Sequence, residues 1–292
     1  MRWPAIRLRH ASRSSLTGND GPGPRYPYPP RLILSIAASV LLGRKRAFGG
    51  DAQQLIYSVV PEPCVQNAHL IPREDPFIVV TNHYYRPGYH VWWGVALITA
   101  TIAQCRPPSN GIVWLMTNRW TYPDPLRSRL LTPLTHWLLT RLARTYGFVP
   151  TPPMPPQPRH TEEGARSVRQ ILSLLDSSTN EDKPVIGLAP EGRDSPDGSL
   201  IEPPSGTGRF LLHMAGNGLQ VLPVGVAEIN GILSARFGPP FALGSRPELS
   251  KTVQDRRASD QVMVAIGAQL PPALWGTFRE QIVAQTSEGS TL

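Results

Sequence analysis

The sequence predicts an α/β fold, with a mostly parallel central sheet covered by helices on both faces. Three observations predict it. Five short apolar runs, partly β-branched, read as strands buried on both sides: 77–81 (FIVVT), 112–116 (IVWLM), 185–189 (VIGLA), 221–226 (VLPVGV) and 232–237 (ILSARF). Helix-like stretches at 88–104, 125–144, 161–176 and 206–217 alternate with them. The 292 residues, 40% of them hydrophobic, suffice for one large domain or one domain with an appendage.

The elements follow in order along the chain. Residues 1–30 are rich in Arg, Pro, Ser and Gly without an apolar period, which predicts disorder. Leu32 to Leu42 (LILSIAASVLL) follows, closed by Gly43 and Arg44-Lys45-Arg46. Eleven helical residues reach about 16 Å, half of a hydrocarbon core, so the segment does not span a membrane. It reads equally as an interfacial anchor on an anionic leaflet or as a first helix packed on the domain. Three positive charges directly after the run, and no A-x-A site, count against a signal peptide. Residues 1–50 therefore form a basic, Pro-rich tail with a short membrane-contacting segment, and 51–292 the α/β domain. Six prolines make 150–158 a stiff connector within that domain, and two helices, near 254–270 and 272–285, close the chain.

Charge and cysteine content exclude several classes. Residues 1–50 hold nine Arg and Lys against Asp20 alone, whereas the remaining chain balances 20 basic with 20 acidic residues. A nucleic-acid-binding domain carries its basic face on folded structure, so nucleic acid is not the expected partner, and membrane lipid is. Cys64 and Cys105 cannot build a disulfide framework and lack the spacing of a zinc site, so they read as two reduced thiols in the cytosol. His136 and His213 have no ligand partner at helical spacing, and no metal is expected. His90, Trp92 and Trp93 read as core or membrane-interface contacts, and Trp114, Trp120 and Trp137 as core or pocket lining.

Two constellations carry chemistry. Asn82-His83-Tyr84-Tyr85-Arg86-Pro87-Gly88 follows the strand FIVVT, where α/β sheets place reactive groups, and an imidazole there can serve as a general base once a partner fixes its tautomer. Pro190-Glu191-Gly192-Arg193-Asp194-Ser195 follows the strand VIGLA, and its arginine fork and flexible glycine suit a phosphate. Downstream, Gly206-Thr207-Gly208-Arg209 opens a helix, either as an anion site or as a plain cap with a tight packing contact.

In this order, Asn82-His83, Pro190-Glu191-Gly192-Arg193, Gly206-Thr207-Gly208-Arg209 and Val221-Leu222-Pro223-Val224 resemble the four blocks of the glycerolipid and lysophospholipid acyltransferases, over roughly residues 60–285. Arg144 to Pro150 stands at the second block, with Gly147 and Phe148 present and its closing Arg missing. The resemblance implies the glycerol-3-phosphate acyltransferase-like fold and a peripheral enzyme of phospholipid biosynthesis on the cytoplasmic side of a membrane. Such an enzyme transfers a fatty acyl group from acyl-CoA or acyl carrier protein, as co-substrate, to an acceptor hydroxyl and needs no other cofactor. It further implies His83 as the base, with Glu191 supporting it, and Asn82, Arg86, Gly192, Arg193, Asp194, Gly206 and Thr207 as the acceptor site. The sequence departs from the family pattern at Gly88, where the family has the Asp of its H-x-x-x-x-D block, and in a third block one residue short, which puts Asp194 where the phosphate-binding Arg belongs.

Losing the orienting Asp of a serine-protease triad costs about 10⁴ in turnover, so the replacement matters. Glu191, Asp194, Tyr84 and Tyr85 are the candidates to orient His83. A non-enzymatic relative that binds lipid or acyl carrier is the alternative, and a soluble hydrolase lacks its G-x-S-x-G nucleophile. A carboxylate within about 3 Å of the His83 ring favours the enzyme, and an unpartnered or occluded ring favours the binder.

Overall fold

A computed structural model describes residues 23–106, 111–154, 160–176 and 184–288. Seven strands lie in the order β1-β7-β6-β2-β5-β3-β4: β1 (Cys64–Gln66), β2 (Phe77–Thr81), β3 (Val113–Thr117), β4 (Val149–Thr151), β5 (Ile186–Leu188), β6 (Gln220–Ile229) and β7 (Ile232–Phe237). Every pairing is parallel except β6 with β7, joined by a hairpin at Asn230-Gly231, both with positive φ. The expected α/β sheet is thus present, with helices on both faces.

The central strand explains the arrangement. All five side chains of β2 are buried, and successive ones point to opposite faces. Phe77 and Val79 enter one core with α2 (Phe48–Tyr57) and α3 (Trp92–Cys105), while Ile78 and Val80 enter the other with α5 (Thr161–Asp176), α6 (Thr207–Ala215) and α7 (Lys251–Gly267). Apolar residues without alternation are what a strand covered on both sides requires.

Several sequence expectations shift. Residues 1–22 lie outside the described residues, but 23–29 are not the disordered run expected. Arg25 bridges to Val60, Tyr26 lies against Tyr89 and Trp93, and the Tyr28 hydroxyl accepts from the Trp92 indole. The helix expected from residue 88 starts at Trp92, because Tyr85 to Tyr89 fold back in a turn closed by Tyr89 N–H donating to Arg86 O. The Pro-rich connector begins as a strand, β4, and 155–159 fall outside the described residues. Helix α1 (Pro30–Leu42) packs on the domain along one side only. Leu32 and Val40 are buried, while Ile33, Leu34, Leu41 and Leu42 are exposed. Arg46 does not face outward with Arg44 and Lys45: it forks onto the buried Asp51 at 2.7 and 2.6 Å and donates to Ser35 and Ser39 on α1. Trp114 is core, as expected, with its indole donating to Thr99, but Trp120 and Trp137 are exposed.

Candidate active site

The site grows from the C-terminal ends of two adjacent parallel strands, β2 and β5. At the end of β2, Asn82 is buried and its amide clamps one residue of β6 from both sides: Nδ2 donates to Val226 O at 2.8 Å and Val226 N–H donates to Oδ1 at 2.7 Å. The side chain thereby continues the β2–β6 ladder past Thr81, and the chain leaves the strand with His83 at the sheet edge. Asn82 therefore holds backbone rather than facing a substrate.

At the end of β5, Glu191 is buried, and its carboxylate accepts from His83 N–H at 2.7 Å and from Ile201 N–H at 3.1 Å. Burial pushes its pKa up from the ordinary carboxylate value to about 7, against the opposing pull of those two N–H groups. Glu191 thus fixes where His83 stands through the backbone and does not touch its ring.

The ring is met by Asp194. Oδ1 lies 2.8 Å from His83 Nδ1. The carboxylate sits off the direction of an Nδ1–H bond, so the contact is one of proximity and not a directed hydrogen bond. The loop that presents Asp194 is organised by Asp197, whose Oδ1 accepts from Ser195 Oγ, Ser199 Oγ and Ser199 N–H and whose pKa these bonds hold down at about 2. The His83 side chain is 19% exposed, and Nε2 has no partner among the described residues. An imidazole with a carboxylate at Nδ1 and a free Nε2 can take a proton from a hydroxyl.

Gly88 explains why the carboxylate comes from elsewhere. Its φ is +81°, a conformation in which an Asp is strained, and the space at its Cα faces the Arg86 guanidinium. Tyr84 is packed edge-on against Tyr89, and Tyr85 lends its carbonyl to a close approach at Gly198.

The remaining expected acceptor residues do not converge on one anion. The guanidinium of Arg86 is bound to the Glu228 carboxylate, which also accepts from Tyr26. The Gly206-Thr207 turn is not an open anion site: the Asp255 carboxylate of α7 accepts from Gly206 N–H at 2.7 Å and Arg209 N–H at 2.8 Å. Gly208 packs so closely that a Cβ there would lie 1.9 Å from Asp255 O. In the structure the block is capped by Asp255 and packed tightly against α7. Gly192 has φ +65° and sits under Met154, and Arg193 is exposed without a partner among the described residues.

Asp197-Gly198 reads in the sequence as a turn, and sequence reasoning missed Glu228, Tyr26 and Asp255, whose roles rest on contacts to distant chain segments. It also missed a cavity of about 470 Å³ lined by Arg119, Tyr122, Thr132, His160 and Glu163, where Arg119 just past β3 pairs with Glu163. Among the described residues no cluster of three metal-ligating side chains occurs and no helix is long and apolar enough to cross a membrane.

No family model matches this chain, and no curated protein sequence matches it. Among solved structures, the 1-acyl-sn-glycerophosphate (LPA) acyltransferase PlsC from Thermotoga maritima aligns over 79% of this chain and 78% of its own, at 17% identity and a TM-score of 0.42.

Proposed function

We propose that the protein transfers a fatty acyl group from a thioester donor, acyl-CoA or acyl carrier protein, to a hydroxyl of a glycerolipid-type acceptor, working peripherally at a membrane. The observation that carries this reading is the carboxylate of Asp194 at 2.8 Å from Nδ1 of an accessible His83. The ordered blocks in the sequence supply the reaction class, and this contact supplies what the first block lacks.

In the reaction, His83 Nε2 takes the proton of the acceptor hydroxyl as its oxygen attacks the thioester carbonyl. The C–S bond breaks, an ester forms, and the proton passes from the imidazolium to the leaving thiolate. Asp194 faces the positive charge that develops on the ring, and Glu191 holds the His83 backbone against β5. A buried carboxylate that makes only backbone contacts is a positioning residue.

The acceptor is one without a phosphate monoester. Arg86 is neutralised by Glu228, the N–H groups of Gly206 and Arg209 are taken by Asp255, and Asp194 puts a negative charge beside the base. Arg193 alone does not bind a dianion tightly in an exposed position.

The test is thioester consumption by the purified chain with acyl-CoA and either lysophosphatidic acid or a neutral lysolipid, wild type beside His83→Ala. Turnover on the neutral acceptor, abolished by the substitution, is the expected result. Turnover only on lysophosphatidic acid overturns the acceptor assignment, and no turnover above the variant, with lipid binding intact, replaces the enzyme with a lipid-binding relative.

A further inference from the structure

The cavity of about 470 Å³ past the end of β3 takes no part in the chemistry at His83. It is enclosed by the loop after β3, the first two turns of α4 (Pro125–Tyr146) and the start of α5. Thr121, Tyr122, Ser128 and Thr132 each bring a hydroxyl to its wall, and no Leu, Ile, Val, Met or Phe lines it, so an acyl chain finds no apolar surface there. Two polar atoms of lining residues are buried without a partner among the described residues: Thr132 Oγ1, and Nδ1 of His160, a residue only 6% exposed. Orphaned atoms of this kind are destabilising, and they call for a ligand or solvent to complete them.

The charges of the cavity cancel. The Arg119 guanidinium donates to the Glu163 carboxylate and, at 2.9 Å, to Asn118 Oδ1, while Asn118 Nδ2 donates to the same carboxylate at 3.2 Å. An entering anion faces Glu163 and an entering cation faces Arg119, so a neutral ligand is favoured over either. A ligand rich in hydroxyls suits every group present: the guanidinium donates to it, the carboxylate accepts from it, and the Thr, Ser and Tyr hydroxyls do both. The cavity also lies on the reacting edge of the sheet. Arg119 stands two residues past β3 and His83 two past β2, with β5 between them, and two strand spacings amount to roughly 10 Å. We propose that this cavity receives the neutral, hydroxyl-rich head of the acceptor, a sugar or comparable polyol carried on the lipid, while the hydroxyl to be acylated stands at His83. The assignment rests on the acyl-transfer reading for the ligand's role as acceptor, and on the cavity itself for the ligand's chemistry. A bare glycerol head leaves Thr132 and His160 unmet, and a phosphate meets the Glu163 carboxylate.

Binding and turnover are measured separately on the full chain with monomeric probes, octanoylglycerol and glucosyl octanoylglycerol, by isothermal titration and by thioester consumption with acyl-CoA. The chains are wild type, Thr132→Val and His160→Phe. Thr132→Val keeps the shape of the side chain and deletes a hydroxyl without a partner, so its thermal melt does not fall below that of wild type, which a structural hydroxyl would not allow. Wild type binds the glucosyl probe about tenfold or more tightly than octanoylglycerol, and each variant narrows that preference about five- to tenfold, with the loss read in KM where there is turnover. The proposal is overturned if wild type binds the two probes equally, which leaves the cavity to solvent. It is also overturned if Thr132→Val, folded as wild type, keeps the full preference, or if octanoyl lysophosphatidic acid binds more tightly than the glucosyl probe. Glucosyl binding that follows Thr132 and His160 without any turnover supports the polyol site and removes only the acyl transfer. Turnover on octanoylglycerol with no preference for the sugar keeps the acyl transfer and overturns the polyol site.

Discussion

Replacing Asp194 with Asn tests the core of the proposed mechanism. The substitution keeps the shape of the side chain and removes the charge that lies 2.8 Å from His83 Nδ1. Two limits bracket its effect. An exposed ion pair contributes about 0.2–1 kcal/mol, whereas a buried triad carboxylate is worth about 10⁴ in turnover, or ~5 kcal/mol. Asp194 is 55% exposed on its own side but faces a ring that is only 19% exposed, so solvent screens the pair from one direction. The expected loss is about 10- to 100-fold in kcat, or ~1.4–2.7 kcal/mol, with KM little changed, because the charge acts on an imidazolium that exists only as the proton is transferred. The assay is initial-rate thioester consumption under saturating donor, and the informative comparison is with His83→Ala and the double variant. In the double variant the Asp194 substitution adds nothing, since its effect passes through the ring. Asp194→Asn within twofold of wild type, beside an inactive His83→Ala, refutes the reasoning. Gly88→Asp placed in the Asp194→Asn background does not restore activity, because the backbone at 88 has positive φ and opens toward Arg86.

Three further outcomes follow from the geometry. Glu191, with its pKa raised to about 7, contributes stability that is full below its unfolded value of 4.5 and is lost as pH rises through 7, where the folded chain must hold a buried charge. Urea midpoints from pH 5 to 8 therefore fall in wild type relative to Glu191→Gln, and a constant difference between the two counts against the buried charge. Asn82→Ala removes both bonds to the Val226 backbone and leaves that N–H and C=O unpaired in the interior, with an expected loss of about 3 kcal/mol by chemical denaturation. Gly208→Ala forces a methyl to within 1.9 Å of Asp255 O and separates α6 from α7, which a thermal melt registers as a loss of about 3 kcal/mol, while Gly218→Ala, which meets only open space and a positive φ, costs about 1 kcal/mol.

The parts of the fold legible in the sequence are those whose residues carry their own pattern. FIVVT is buried on both faces and reads as a central strand without reference to anything distant. The edge strands β1 and β4 have three residues each, too few for any period to show, and their partners on β7 and β3 lie far away in sequence. Helix α2 opens with Phe48-Gly49-Gly50, and paired glycines mask a helix that tertiary packing nevertheless forms. Trp120 and Trp137 show the opposite failure: an aromatic residue suggests burial, and only the orientation of α4 exposes them. At the candidate site, position and type were legible for His83 and Glu191. Asp194 was visible as one candidate among four, and its selection depends on the turn that Asp197 ties together. The blocking of Gly206 by Asp255 spans 49 residues and has no local signal.

The shared carboxylate of Glu228 decides where this chain can be cut. Tyr26, from the segment ahead of α1, and Arg86, three residues past His83, both donate to it, and Tyr26 and Tyr28 lie against the ring of the buried Trp93. A version shortened to begin at residue 23 keeps this knot whole. One begun at Pro30, at the first turn of α1, strips the aromatic cover from Trp93 and leaves the Arg86 loop tethered on one side only. Trimming for crystallisation or expression that follows helix boundaries alone would thus disturb the reacting edge from more than fifty residues away in sequence.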